Sequence, residues 1–199
     1  MKKTLISMAV LSVISSSTLA FTVADKDSPY QDPINTADGL TVEEGATIQN
    51  QRIEVTGGKF TNDGLIQTKE LVIFTEGNSL TFGDVTANKI VFKGADTNSY
   101  GDNFILERGF STDRLEILDA KFTDSEADYQ TGLTIEDPTV LKSIGELYIE
   151  SNGSRTGLRI GKSTGGKKGQ TFEIKSVTLQ DKTGNQDARV EIFNDNNVN

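Results

Sequence analysis

The 199-residue sequence contains no cysteine, no histidine and no tryptophan, and only three prolines. Without cysteine the chain has no disulfide bonds, so its stability must come from backbone pairing and core burial. Without histidine and cysteine, the commonest zinc sites and every catalytic dyad or triad that uses an imidazole base are excluded. Much of enzyme chemistry is therefore ruled out before any motif is considered.

Positive charge is also scarce, since 20 basic side chains stand against 29 acidic ones and the formal net charge is −9. Nucleic acids and anionic lipid head groups are bound through Lys and Arg, and this chain has no excess of these residues over acidic ones. We therefore predict no nucleic-acid partner and no binding to anionic lipid head groups. We also expect no membrane insertion by this chain itself.

The first twenty residues have the pattern of a secretory signal peptide. Lys2 and Lys3 supply a positive start, residues 5–14 are mostly apolar, and the small residues Thr18 and Ala20 flank Leu19 at the cleavage positions. The apolar run is too short to span a bilayer, which needs about 20 residues. We predict that residues 1–20 direct export across the inner membrane.

The rest of the chain shows no helical period and many short alternating segments. Residues 21–38 combine two prolines with several Asp, Asn and Ser, and are interpreted as an irregular lead-in or N-terminal cap. From Gly39 onwards, segments rich in Val, Ile, Thr and Phe alternate with Gly, Asn and Asp, which is typical of strands joined by tight turns. The predicted fold class is all-β.

One pattern recurs along the chain: an apolar residue, four mostly polar residues, then apolar, any residue, apolar. Residues 66–73 align with residues 85–92, and Gly64 and Gly83 precede the two copies at the same distance. Seven strands follow from the full and looser copies: RIEV (52–55), ELVI (70–73), KIVF (89–92), RLEI (114–117), ELYI (146–149), TFEI (171–174) and RVEI (189–192).

The spacing of these strands, 18 to 32 residues, predicts a β-solenoid of about seven coils over residues 39–193. A small β-sandwich with ordinary strand alternation is the alternative fold. In the solenoid, the last two apolar residues of each copy point inward, as do Leu71 and Ile73. Residues 194–199 are then a polar tail or the start of a truncated continuation.

The residue that opens each four-residue strand would form one outward column, where opposite charges follow one another in several coils. The column comprises Arg52, Glu70, Lys89, Arg114, Glu146, Thr171 and Arg189. Neighbouring opposite charges contribute about 0.2–1 kcal/mol per pair, enough to favour register. An ordinary solvated face is the alternative interpretation of the same residues.

The long intervals suggest inserted loops at residues 94–103 and 119–130, where Tyr100 and Tyr129 are either binding contacts or residues packed on the scaffold. The glycine-rich run at 161–169 lacks the order of a phosphate loop and is interpreted as a turn. Acidic clusters at 25–27 and 194–197 do not fit a calcium-loop pattern. No catalytic, cofactor-binding or metal residue is assigned, and no cofactor is predicted.

Residues 39–193 resemble the β-helical passenger regions of bacterial autotransporters and filamentous-haemagglutinin-like surface adhesins. The copies at 64–73 and 83–92, together with the signal peptide, carry the resemblance. It implies a right-handed parallel β-helix and a role in adhesion or host interaction at the cell surface, with a surface protein or glycan as partner. The chain contains no run of amphipathic strands that would form an outer-membrane barrel, so the barrel is expected elsewhere if the chain is a fragment of a longer protein.

The predicted function is therefore non-enzymatic. Alternatives are a polysaccharide lyase or glycoside hydrolase built on a β-helix, or a small secreted carbohydrate-binding β protein. A glycosidase would need two paired carboxylates, and nothing in the sequence selects one pair from the 29 acids.

Overall fold

A computed structural model describes residues 19–75, 84–94, 102–106, 110–118, 130–135, 141–152, 155–160, 173–182, 184 and 188–192. These residues are all-β, with one short 3-10 turn at Asp25–Asp27. Within these ranges no helix is long and apolar enough to cross a membrane. Most of the predicted signal peptide, the run at 161–169, and the tail at 194–199 lie outside the described residues.

Fourteen strands occur in the described residues. They are β1 (Phe21–Val23), β2 (Ile34–Thr36), β3 (Gly39–Val42), β4 (Thr47–Val55), β5 (Lys59–Asn62), β6 (Leu65–Thr75), β7 (Asp84–Gly94), β8 (Asp102–Leu106), β9 (Phe110–Leu118), β10 (Gln130–Ile135), β11 (Leu141–Ser151), β12 (Arg155–Ile160), β13 (Ile174–Asp181) and β14 (Ala188–Ile192). They form three sheets, with orders β1-β3-β5, β14-β12-β10-β8 and β13-β11-β9-β7-β6-β4-β2.

Every described strand pair is parallel, and the strands of each sheet follow one another in chain order. The first five predicted strands lie side by side in the seven-stranded sheet, with Arg52 opposite Glu70, Glu70 opposite Lys89, and so on to Glu146. This arrangement is consistent with a parallel β-helix or solenoid. It differs from a β-sandwich, the alternative fold, because sandwich sheets are antiparallel.

The four polar residues inside the repeat mark a break in each long strand. In β4, Ile48, Asn50, Ile53 and Val55 are buried, so two successive residues, 51 and 52, both face outward. Backbone pairing in the sheet skips the first of these positions in every long strand, at residues 51, 69, 88, 113 and 145. We call the part before the skipped residue the first arm and the part after it the second arm.

The inward assignment of the repeat is confirmed for the first five strands. Their inward residues are fully buried: Ile53, Val55, Leu71, Ile73, Ile90, Phe92, Leu115, Ile117, Leu147 and Ile149. The first arms add Ile48, Ile66 and Val85 to the same core cluster. Each such side chain contributes about 1.5–3 kcal/mol by leaving water, so this core is the main source of stability.

Gly64 has a steric reason for its place before the repeat. A Cβ there would lie 2.3 Å from the carbonyl oxygen of Ala46 and 2.7 Å from that of Glu43. Both distances are below any tolerable contact with backbone atoms, so only glycine lets the chain pass this close as it enters β6.

The sixth predicted strand is misplaced. Val177 and Leu179 of β13, not Phe172 and Ile174, lie opposite Leu147 and Ile149. Ile174 instead pairs with Ile144 on the first arm, while Thr171 and Phe172 lie outside the described residues. Both segments alternate apolar and polar residues, so alternation alone could not choose between them.

The seventh predicted strand belongs to another sheet. Val190 and Ile192 of β14 pair with Leu158 and Ile160 of β12, so Arg189 does not extend the outward column. Strands β8 and β10 of that sheet include residues 102, 103 and 130. These residues were predicted to lie in inserted loops, so the predicted loops are too long at these ends. Tyr100 and Tyr129 lie outside the described residues.

The segment interpreted as a lead-in, residues 21–38, carries two strands as well as the 3-10 turn. β1 pairs with β3, and β2 pairs with β4 so that Ile34 lies opposite Ile53. The strand β1 therefore extends the three-stranded sheet, and β2 extends the seven-stranded sheet.

Candidate functional site

The outward face of the second arms carries the predicted column of charged side chains, in which Arg52, Glu70 and Lys89 alternate in sign and Arg114 lies beside Glu146. We call it the ion-pair ladder, formed by Arg52, Glu54, Glu70, Lys89, Arg114, Glu116 and Glu146. At its start, Arg52 bonds to Glu70 and lies 2.9 Å from Glu54 Oε2, while Lys89 Nζ lies 3.9 Å from Glu70 Oε1. The opposite charges predicted between adjacent coils are therefore in contact.

Glu116 is the centre of the ladder. Its carboxylate lies 3.0 Å from Lys89 Nζ and 2.6 Å from Arg114 Nε, and the residue is only 9% exposed. Arg114 also pairs with Glu146. Hydrogen bonds to Glu116 and then to Glu146 raise the pKa of Arg114 above its ordinary value, despite an opposing effect of burial. These charges satisfy one another, so the ladder supports register more than it offers a binding surface.

The ladder does not reach the last predicted members of its column. Arg189 lies in the other sheet, and its Nε is 3.1 Å from Glu191 of its own strand. The confirmed part of the column ends at Glu146, opposite which β13 places Ser176.

The outward face of the first arms is polar but almost uncharged. One row consists of residues paired in register: Gln49, Gln67, Thr86, Ser111 and Ser143. Gln49 Nε2 donates to Gln67 Oε1 at 2.7 Å, and the hydroxyl oxygens of Ser111 and Ser143 are 2.8 Å apart. The skipped positions form a second row beside it, which begins with Gln51, Lys69 and Asn88.

A shallow depression of about 420 Å³ lies where these two rows cross β4, β6 and β7. We call its outward side chains the polar strip: Gln49, Gln51, Gln67, Lys69, Thr86 and Asn88. All six are exposed or partly exposed at the surface. In the described part of the chain, the side chains of Gln51, Lys69, Thr86 and Asn88 have no hydrogen-bond or ion-pair partner. The strip therefore has free donors and acceptors, which the ladder lacks.

The floor of the depression is held by buried hydrogen bonds. Thr68 Oγ1 donates to Asn50 Oδ1 at 2.8 Å, and Asn50 Nδ2 donates to the carbonyl oxygen of Asp32 at 3.0 Å. Asn50 and Thr68 are each 7% exposed. Because satisfied buried polar groups restrict side-chain motion, the open side chains stand on a rigid base.

The sequence did not single out this strip as a site. The feature of the sequence that could have indicated it is the run of four mostly polar residues within the repeat. An outward amide or hydroxyl occurs there at equivalent places in successive copies. Residues 25 and 27, considered for calcium, lie in the 3-10 turn, and no cluster of acids in the described ranges could hold a metal ion. The cluster at 194–197 lies outside those ranges.

Comparison of the chain with protein-family models, with curated proteins and with solved structures gives no match. A functional proposal must therefore rest on the repeat and on the geometry of these two faces.

Proposed function

We propose that this chain is an exported, non-enzymatic surface protein with a role in adhesion or host interaction, forming part of an autotransporter passenger. In this proposal it is a right-handed parallel β-helix of about seven coils. The observation that carries the proposal is the in-register parallel stacking of successive repeat copies from β4 to β11.

A stacked scaffold of this kind suits a protein that must present side chains at fixed positions outside the cell. It needs no disulfide, because each strand is stabilised by pairing with its neighbours and by the shared apolar core. The polar strip then supplies unpaired groups for a surface protein or a glycan.

The chemistry of the depression over the polar strip does not favour glycoside hydrolysis. The residues that line it carry amides, hydroxyls and one amine, and no carboxylate is among them. Glycoside hydrolysis ordinarily uses two carboxylates about 5 to 9.5 Å apart. The acids of the ladder are already paired with cations, which favours a structural role for them.

Fractionation of native cells tests this proposal. An antibody raised against residues 21–199 should detect an outer-membrane protein that is degraded by protease added outside intact cells. A known periplasmic protein, protected from the same protease, serves as the internal control. A variant without residues 1–20 should remain in the cytoplasm.

A soluble band in the periplasm that resists external protease would overturn the surface assignment. A band in the medium slightly below the 21.6 kDa of the full chain, as expected after removal of residues 1–20, would instead indicate a free secreted protein.

A further inference from the structure

We infer that the polar strip binds a neutral glycan chain, laid across β4, β6 and β7 along the direction in which the strands stack. The inference rests on the proposed function, and it names the class of ligand and the site. It is carried by the free amides and hydroxyl of Gln51, Thr86 and Asn88 above a rigid floor.

The chemistry of the strip matches that of sugar hydroxyls. An Asn or Gln side chain carries both a donor and an acceptor, and a Thr hydroxyl can act as either. A sugar hydroxyl likewise donates and accepts, so amides and hydroxyls can satisfy it without a net charge. The ladder on the second arms lacks this capacity, because its carboxylates and cations are bonded to one another.

The spacing of the strip also suits a chain of sugars. Adjacent strands lie about 4.8 Å apart, which is close to the length of one pyranose unit in an extended glycan. Gln49, Gln67 and Thr86 form one row on three adjacent strands, and Gln51, Lys69 and Asn88 form the parallel row. Three successive sugar units can therefore each meet a polar side chain on both sides.

The composition of the strip argues against other ligands. Lys69 is its one cation, and the chain as a whole is acidic, so a polyanion would be repelled at long range. The depression is lined by no aromatic or large apolar side chain, which a protein partner would need as an anchor. Without an aromatic ring for stacking, the glycan should bind weakly, with a dissociation constant on the order of 0.1–1 mM.

Titration of the full chain, purified after export, with defined oligosaccharides tests the inference. The neutral probes are pentasaccharides of cellulose, xylan, laminarin and mannan, and the charged probe is a heparin-derived hexasaccharide. At least one neutral probe should bind. The double variant Gln51→Ala/Asn88→Ala should weaken binding about tenfold or more, because each amide makes one or two hydrogen bonds with sugar.

The matched control is Lys175→Ala. Lys175 occupies the same skipped position of the sheet in β13, but it lies outside the depression and is also exposed. Lys69→Ala should weaken neutral-glycan binding about threefold, whereas Lys175→Ala should leave it unchanged. Circular dichroism and thermal melts should show that all variants remain folded.

Three results would overturn the inference: no binding of any neutral probe at millimolar concentration by the folded chain, equal binding by the double variant, or binding of the heparin fragment alone. A chain that is exposed on the cell surface and yet binds no neutral glycan leaves the proposed function intact and removes only this inference. A chain that binds glycan but stays in the periplasm removes the surface role instead.

Discussion

The two ends of the seven-stranded sheet are built differently, although the same alternating pattern forms both. At the N-terminal end, Ile34 of β2 is 3% exposed, and Val23 of β1, in the three-stranded sheet, is 1% exposed and belongs to the same core cluster. At the C-terminal end, Val177 and Leu179 of β13 are 48% and 49% exposed, although their register partners on β11 are fully buried. One end of the core is covered and the other is half open.

The N-terminal end is closed by apolar and aromatic packing. Tyr30 packs against the core and forms an isolated bridge with Ile48, and its ring meets Phe21 edge to face at 5.6 Å. Aromatic contacts of this geometry add about 0.5–1.5 kcal/mol to the gain from burial.

The C-terminal end is held on its outer side by polar contacts between β11 and β13. The Tyr148 hydroxyl lies 2.8 Å from Glu150 Oε2 and 2.6 Å from Gln180 Oε1, and Lys182 pairs with Glu150. The contrast teaches that burial in this fold depends on what packs beyond a strand and not on the strand's own pattern. The apolar end should respond to loss of volume, and the polar end to pH.

The largest expected effect comes from placing a charge at equivalent inward positions in the middle and at the open end of the sheet. Ile73→Asp should abolish cooperative folding, because it buries an unpaired carboxylate at a cost of several kcal/mol. Leu179→Asp should cost less than about 1 kcal/mol, since water already reaches that side chain. Urea denaturation followed by circular dichroism measures both. Equal losses would mean that β13 is as well covered as β6.

A smaller effect is expected at the closed end. Tyr30→Ala should lower the free energy of unfolding by about 2 kcal/mol, because it removes a partly buried ring and its edge-to-face contact. Tyr30→Phe is the matched control and should change stability by less than about 0.5 kcal/mol. If the two variants were equally destabilised, the hydroxyl and not the ring would be closing this end.

The smallest effect concerns the polar contacts of β13 and their dependence on pH. Burial raises the pKa of Glu150, but hydrogen bonds from Lys182 and Tyr148 outweigh it, so the pKa lies below its ordinary value of 4.5. A lowered folded-state pKa stabilises the fold above the unfolded pKa, and this contribution is lost as the pH falls through the folded value. Hydrogen-exchange protection of the β13 amides should therefore decrease at acid pH before that of β6.

Lys182→Met should reduce the protection of β13 at pH 7 by an amount equivalent to at most about 1 kcal/mol, as for other exposed ion pairs. Once the pH has fallen below the folded-state pKa of Glu150, the variant and the parent should converge. Lys175→Met, within β13 and without an ion-pair partner in the described residues, should leave protection unchanged both at pH 7 and below that pKa. A Lys182→Met effect that persisted below that pKa would exclude the ion pair as its cause.

Sequence reasoning predicted the all-β class, the repeat and the register of the first five strands, because a buried strand face imposes a strict two-residue alternation. It could not choose Val177 and Leu179 over Phe172 and Ile174 as the residues opposite Leu147 and Ile149, since both segments satisfy that alternation. It also missed β8, β10 and β12, because their sequences do not carry the full repeat.

The candidate site was predictable only in part. The polar spacer of the repeat was visible, but its meaning depends on which outward residues find partners. Glu70 and Lys89 reach charged neighbours on adjacent strands, whereas Gln51 and Asn88, at the skipped positions, find none in the described part of the chain.

The sequence by itself determined which side of each of the first five predicted strands faces the core, because alternation and side-chain polarity are local properties of a strand. Only the tertiary structure decided which sheet β14 joins, which end of the core is covered, and which polar face remains free to bind. Those outcomes depend on contacts between residues 18 to 32 positions apart, and no local pattern encodes them.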